Sequence, residues 1–316
     1  MEYTDGDIIA HIAKHYAHHA VSIACFTNGR VNTSYCITSK EASFVFRIYA
    51  QKTIEEIQCE ISILEALAEE NFPSQKIQYS VSGSAYTYFQ GKVAVLASYI
   101  SGVPASFLAE NQLHMLGSLM ARIHQVSSEK VICAKKVTWD PEGLSSLYAI
   151  QKEAFLESGV VGADVVAEFF EEYHYDFVFS PELPRGVTHQ DLKKENILMQ
   201  GETLAGLIDF DNAYVGVLLH DIMTTLIREG YDQGMLSRNR CREFILGYES
   251  VRKLREVEKE NFVMGFQHRL VREVFIGPFA AVKNREEAMK ASFYFMQLFK
   301  SFGPTEERVL LDCLSN

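Results

Sequence analysis

The sequence predicts an α+β protein in two unequal parts, a small N-terminal part on an antiparallel sheet and a larger, mainly helical C-terminal part. Three observations carry this. Short apolar runs with alternation and Asn-Gly or Gln-Gly turns recur through residues 26–98. From Glu110 onward the apolar residues recur with the helical period instead. Residues 187–214, VTHQDLKKENILMQGETLAGLIDFDNAY, interrupt the helices with two apolar runs that can pair as a hairpin around Gly201. At 316 residues, one large or two modest domains with a sizeable core are expected.

Residues 5–20 read as a helix with Ile8, Ile9, Ile12 and Ala13 on one face. His11, His15 and His18 fall on another face beside His19, where a solvated helix side is expected because no acidic or thiol ligand completes a metal set. Two strands follow, around 26–38 and 43–49, with a turn at Asn28-Gly29 whose backbone N–H groups can approach phosphates. Arg47 sits inside the second strand between Phe46 and Ile48, either as an outward-facing charge or as a phosphate-binding cation. Thr53-Ile54-Glu55-Glu56 is a capping box that opens a helix with Ile57, Ile61, Leu64 and Leu67 on its apolar face. Asn71-Phe72-Pro73 closes it.

Further strands are expected near 76–88 and 92–98, and VAVLASYISG (93–102) reads as a buried strand running into a glycine turn. The boundary between the two parts is placed near 101, giving 1–101 and 102–316. Helices are then expected from Glu110 to about His124, through 140–180 with core aromatics such as Phe169 and Phe170, from about Asp221, and over 238–250 and 253–300. Arg269 and Arg272, one turn apart, are expected at the surface.

Pairing the two runs of 187–214 brings Asp191, Asn196 and Asp209 to one end. A carboxylate and an amide oxygen are hard ligands suited to Mg²⁺, and a second, unchelated carboxylate can accept a hydroxyl proton. That set suits phosphoryl transfer, where charge lies on peripheral oxygens and the protein must position groups and neutralise charge. The pattern His189-x-Asp191-x-x-x-x-Asn196, then Asp209-Phe210-Asp211 and Asp221, resembles the kinase signature. It is closer to the aminoglycoside phosphotransferase/choline kinase family, small-molecule kinases with a protein-kinase-like fold.

The resemblance covers nearly the whole chain and is most specific over 187–221. It implies a two-lobed fold using ATP and Mg²⁺. It implies that Asp191 orients the acceptor hydroxyl and takes its proton, and that Asn196 and Asp209 hold Mg²⁺. Lys193 occupies the position that touches the γ-phosphate in protein kinases. Arg47 matches the cation on the nucleotide phosphates and Glu60 its helix partner, with Glu55 and Glu56 as alternatives. Asn28, Gly29 and Asn32 match the nucleotide-covering loop, and Ser98 and Ile100 the hinge beside adenine. Asp221 and His189 match residues that brace the catalytic loop. Asp211 matches either acceptor-pocket charge or a contact behind the metal ligands. Gln190 departs from the glycine common in the small-molecule kinases.

A net charge of −11 argues against a nucleic-acid partner and is compatible with a cationic substrate. Arg269 and Arg272 would instead suit a carboxylate-bearing one. No apolar run approaches the ~20 residues that span a membrane, and MEYTDGDIIAHIAKHY lacks the basic-then-apolar order of a signal peptide, so a cytoplasmic protein without membrane partner is expected. The six cysteines form no CxxC and read as reduced core thiols. The acceptors that fit are amino alcohols, homoserine-like amino acids, sugars and aminoglycosides. A protein Ser/Thr kinase competes on the strength of HQDLKKEN, against which only nine residues lie between Asp211 and Asp221 and no Ala-Pro-Glu anchor follows. A non-catalytic nucleotide-binding module also competes, against which the Asp191, Asn196 and Asp209 set is intact.

Overall fold

Thr4 Oγ1 accepts from the Asp7 N–H and so caps helix α1 (Asp5–Tyr16). The structure is a computed structural model and describes residues 3–26, 32–133, 141–280 and 285–315. Helix α1 ends at Ala17, whose φ of 55° is left-handed, and strand β1 (Ala20–Cys25) follows, so the helix expected over 5–20 is shorter than its apolar pattern suggested. The solvated histidine side also needs correction. His11 is buried, lies 2.9 Å from the Thr87 hydroxyl and packs on Phe46 and Phe89. The helix is pressed on the sheet, and position 11 shares its inward face with Ile8 and Ile12.

Strands β2 (Thr33–Ser39), β3 (Ser43–Ile48), β4 (Ile77–Gln78), β5 (Thr87–Phe89) and β6 (Lys92–Ser98) complete an antiparallel sheet in the order β1-β2-β3-β6-β4, with β5 also on β6. Between β3 and β4 runs α2 (Ile54–Glu69), opened by the predicted capping box. Thr53 Oγ1 accepts from the Glu56 N–H and Glu56 Oε2 from the Thr53 N–H. Ile57 and Ile61 pack with Tyr49 and Val95, while Leu64 and Leu67 join the core of the larger part.

The rest of the chain is mainly helical around short strands β7 (Val103–Pro104), β8 (Arg185–Thr188), β9 (Ile197–Gln200), β10 (Thr203–Leu207) and β11 (Tyr214–Val217). One small sheet has the order β10-β9-β7 and a second pairs β11 with β8. The helices are α3 (Glu110–Gln125), α4 (Pro141–Leu156), α5 (Ala163–Tyr173), α6 (Leu218–Glu229), α7 (Arg238–Glu249), α8 (Glu256–Glu260), α9 (Phe262–Ala280), α10 (Arg285–Ser301) and α11 (Pro304–Leu314). This is the two-lobed α+β architecture that the sequence predicts. Helices α3 and α7 cross at glycines, where backbones can approach most closely. A Cβ on Gly117 would stand 2.0 Å from the Phe244 carbonyl oxygen, and one on Gly247 1.9 Å from that of His114.

The expectation of reduced thiols fails for two cysteines. Cys59 of α2 and Cys133 form a disulfide across a sequence separation of 74. Ser62 Oγ joins the same two segments, donating to the Ile132 carbonyl at 3.3 Å and accepting from the Ile132 N–H at 3.1 Å. The chain leaving α3 is thus fastened back onto α2, a contact no local spacing reveals. Cys25, Cys36, Cys241 and Cys313 are free thiols. Among the described residues no helix is long and apolar enough to cross a membrane.

Candidate active site

The predicted hairpin is β9–β10, paired from Thr203↔Gln200 to Leu207↔Ile197, with Gly201 at φ 63° in the turn. Beyond its open end the Ile208 N–H donates to the Asn196 carbonyl at 3.0 Å, which sets Asn196 beside the start of Ile208-Asp209. The loop between β8 and β9 carries Asp191 to the same end.

That loop is braced from behind. Fully buried Asp221, in the first turn of α6, accepts from the His189 N–H at 2.8 Å and the Gln190 N–H at 2.7 Å. Its Oδ2 is 3.1 Å from His124 Nε2, and His124 Nδ1 is 2.7 Å from the Tyr248 hydroxyl. Burial alone would raise the Asp221 carboxyl. His124 and the loop amides outweigh it and hold the carboxyl below its usual value, so it remains an anion at the amides it orders. His189 donates through Nε2 to the Ile208 carbonyl at 3.1 Å, and its Nδ1 accepts from the Asp191 N–H at 3.3 Å. Burial lowers its pKa, so this neutral tautomer links the loop to the end of the hairpin.

Within this frame Lys193 Nζ lies 2.6 Å from Asp191 Oδ2, and Asn196 Nδ2 donates to the Asp191 carbonyl at 2.9 Å and to Oδ2 at 3.2 Å. The Asn196 amide nitrogen therefore orders the loop, and its Oδ1 is the atom suited to a cation. Asp209 adopts a left-handed conformation (φ 70°, ψ 55°). Its Oδ1 is 3.5 Å from Arg47 Nη1, which also donates to Glu60 Oε1 at 3.2 Å. Burial alone would lower the Arg47 guanidinium, yet Asp209 and Glu60 hold it above its usual value. Burial and then repulsion from Asp211 push the Asp209 carboxyl up to about 6, against the pull of Arg47. Two crowded carboxylates with a hard amide oxygen nearby are a donor set that fits a divalent cation of the Mg²⁺ type.

The other predicted residues are distributed as follows. Asn32 joins the two parts, its Nδ2 donating to Asp211 Oδ2 at 3.2 Å while its Oδ1 accepts from the Ala50 N–H at 3.2 Å. Ser98 Oγ accepts from the Lys76 N–H at 2.8 Å, and its carbonyl accepts from Gln75 Nε2 at 3.3 Å, so its polar groups hold the strand end in place. Ile100 packs over Gly206 of β10. Asn28 and Gly29 lie outside the described residues. Of the three glutamates considered for Arg47, Glu60 is the one that meets it, whereas Glu56 serves the helix cap.

Several contributors were not foreseen. Lys52 Nζ lies 3.7 Å from both Glu60 Oε2 and Asp211 Oδ2 and donates to the Asp211 carbonyl. Glu229 Oε1 accepts from the Lys194 N–H at 2.8 Å. Only a charge just past the Arg47 strand marked Lys52 in the sequence, and nothing marked Glu229. Arg269 and Arg272 are not at the surface, with exposures of 1% and 6%. Arg269 donates through Nη1 to Gln190 Oε1 and through Nη2 to the Gln190 carbonyl, both at 3.1 Å. Gln190 has φ 66°. Where glycine would adopt this conformation freely, its side chain and carbonyl are instead clamped by Arg269.

Residues 23–254 match the phosphotransferase enzyme family. The chain is 26% identical over 255 residues to a homoserine kinase of Beijerinckia indica subsp. indica, covering 79% of this chain and 78% of that protein. In solved structures it resembles a microcompartment-associated aminopropanol kinase, with TM-score 0.65, 20% identity and 99% of each chain covered. It also resembles a spectinomycin phosphotransferase in complex with ADP and spectinomycin, with TM-score 0.64, 15% identity, and 100% of this chain and 99% of that one covered. The braced loop, the hairpin and the Arg47–Glu60 pair thus stand in a chain that belongs to the phosphotransferase enzyme family and is a kinase with an alcohol group as acceptor.

Proposed function

We propose that this protein moves the γ-phosphoryl group of ATP to a hydroxyl of a small molecule, with Mg²⁺ held by Asn196 and Asp209. The observation that carries this reading is the convergence of Asp191, Asn196 and Asp209 at one end of the hairpin, with Arg47 bridging Asp209 and Glu60. When bound, Mg²⁺ would be held by Asn196 and Asp209 and would supply positive charge that offsets the charge of the nucleotide phosphates. Arg47, fixed by Glu60, orients the nucleotide phosphates. Asp191 accepts a hydrogen bond from the acceptor hydroxyl and takes its proton as the oxygen bonds to phosphorus and the bond to the ADP oxygen breaks. Lys193 neutralises Asp191 between turnovers and lies near the transferred group. Ile100 lines the adenine side, and Asn32 stands over the phosphates. The lobes divide near residue 101, between β6 of the first sheet and β7, which pairs with β9. ATP use fits the cytoplasm, where the Cys59–Cys133 bridge would be unusual.

The named relatives put amino acids and amino alcohols first among acceptors to test. ATP consumption measured with Mg²⁺ against amino alcohols, hydroxy amino acids, sugars and aminoglycosides tests the reading. Phosphate appearing on one of these acceptors supports it. Phosphate appearing only on protein, or nucleotide binding without any turnover, contradicts it.

A further inference from the structure

In the reducing cytoplasm, to which ATP use points, disulfides are mostly transient and serve catalysis or redox sensing. The Cys59–Cys133 bridge has the layout of such a reversible bond. Its two sulfur atoms differ in access. Cys59 is fully buried, whereas Cys133 is half-buried and follows Ile132, which is 74% exposed. A thiolate from solution can therefore reach Cys133 and expel Cys59, and not the reverse. The two segments also stay together without the bond. Ser62 exchanges hydrogen bonds with both backbone groups of Ile132, and Lys130 Nζ pairs with Glu69 Oε2 at 2.9 Å and with Glu70 Oε1 at 3.5 Å. Opened thiols would thus remain neighbours, and closing the bond again needs no search through the open chain.

The bond lies at a joint of the site. Cys59 immediately precedes Glu60, the partner of Arg47. The Cys59 Sγ is 3.8 Å from the Ala213 carbonyl oxygen, just past the turn Phe210–Asn212 that follows Asp209. In the bridge this sulfur carries no proton and cannot donate. Once reduced it is an S–H donor within reach of that carbonyl. Reduction therefore replaces a covalent tie toward Cys133 with a hydrogen bond toward the Asp209 turn, at the residue next to Glu60.

We infer that Cys59–Cys133 is a reversible thiol–disulfide site that sets the affinity for Mg²⁺–ATP, with dithiol reductants as its class of reactant. The inference rests on the reading above of Arg47 as the nucleotide cation and Asp209 as a metal ligand. In the step, a thiolate of the dithiol attacks Cys133 Sγ, and the bond to Cys59 breaks. Cys59 leaves as a thiolate and takes a proton. The second thiol of the reductant then displaces Cys133, which is protonated in turn, and the reductant departs as its own disulfide. Two electrons and two protons have then passed from the dithiol to the protein. The bridged form, in which Glu60 meets Arg47, is the tight-binding one.

The test measures Mg²⁺–ATP affinity by titration calorimetry in four samples. These are oxidised wild type, wild type reduced with dithiothreitol, the same protein reoxidised with glutathione disulfide, and Cys133→Ser. Thiol alkylation and mass spectrometry report the bridge in each, and far-UV circular dichroism reports folding. Reduction should weaken Mg²⁺–ATP binding about tenfold, the lower end of what a hydrogen bond to a charged group contributes. Reoxidation should restore it, and Cys133→Ser should hold the reduced value under both conditions. No bridge in oxidised wild type, a bridge that dithiothreitol cannot open in the folded protein, or unfolding on reduction overturns the inference. So does equal affinity in the two states, or a response that persists in Cys133→Ser. These outcomes are read from binding alone. Mg²⁺–ATP binding without phosphorylation of any acceptor contradicts the phosphotransferase reading and leaves the redox comparison standing.

Discussion

Asp209 is held between an attraction and a repulsion. Arg47 draws its carboxylate, while burial and Asp211 resist the charge and bring the pKa to about 6. A divalent cation reverses that balance, because it binds the ionised form and expels the proton. The sign follows directly. Above pH 6 the carboxylate is already ionised and cation binding releases no proton from it, whereas below pH 6 each bound cation must displace one. Affinity for Mg²⁺–nucleotide is therefore expected to be flat from pH 7 to 8 and to fall about tenfold per pH unit well below 6. Titration calorimetry across this range checks it. The Asp209→Asn variant should bind weakly and lose that added acid dependence, and an unchanged profile in Asp209→Asn would assign the titration to another group. His189 and Asp221 belong to the same scale. One is kept neutral and the other ionised by their surroundings, and together they fix the backbone that carries Asp191.

Two junctions between elements bear on the site. The first is the crossing of α3 and α7, whose glycines let His124 and Tyr248 reach each other behind Asp221. Gly247→Ala forces the helices apart at the His114 carbonyl. Overpacking of this kind costs typically 1–3 kcal/mol and occasionally more, so a lower denaturation midpoint is expected, with kcat falling as the Asp221 brace loosens. Wild-type stability in Gly247→Ala would show that the crossing is not tight. The second junction is the disulfide from α2 to the chain after α3. Removing a native disulfide of this loop length costs about 2–4 kcal/mol. Urea denaturation of Cys133→Ser against oxidised wild type measures it, and reduction of wild type should reproduce the variant. Midpoints that coincide under oxidising conditions would mean that the bridge does not form in solution. Because Cys59 adjoins Glu60, the same tether bears on the helix that positions the Arg47 partner.

At the scale of the whole molecule, the site lies where the two parts meet. Arg47 reaches Asp209, and Asn32 and Lys52 reach Asp211, all from the N-terminal part. How legible this was in the sequence depended on distance along the chain. His189, Asp191, Asn196 and Asp209 fall within one loop and hairpin, so their mutual placement followed from turn chemistry and a pairing register. The capping box and apolar stripe of α2 marked the helix, but Glu60 stood out as the partner of Arg47 only through the family resemblance, with Glu55 and Glu56 open until the packed helix brought Glu60 to it. Strand β1 was hidden because the apolar pattern of α1 runs on past Tyr16 while Ala17 turns the chain. The buried histidine and arginines were misjudged for a related reason. Polarity says that such groups prefer water, and only the packed structure shows the Thr87, Gln190 and Glu273 partners that compensate them. The Cys59–Cys133 bridge and the Lys52 and Glu229 contacts join segments far apart in sequence, and no local pattern encodes them.

The central claim is that Asp191 serves the acceptor while Asn196 and Asp209 serve the metal–nucleotide. Measuring turnover and Mg²⁺–ATP binding side by side in Asp191→Ala and Asp209→Ala tests it most directly. Asp191→Ala should keep Mg²⁺–ATP binding within a few-fold and lose about 10²–10⁴-fold in kcat, the usual contribution of a general base. Asp209→Ala should lose Mg²⁺–ATP binding itself. Near-normal turnover in Asp191→Ala, or unchanged Mg²⁺–ATP binding in Asp209→Ala, would contradict the division of roles.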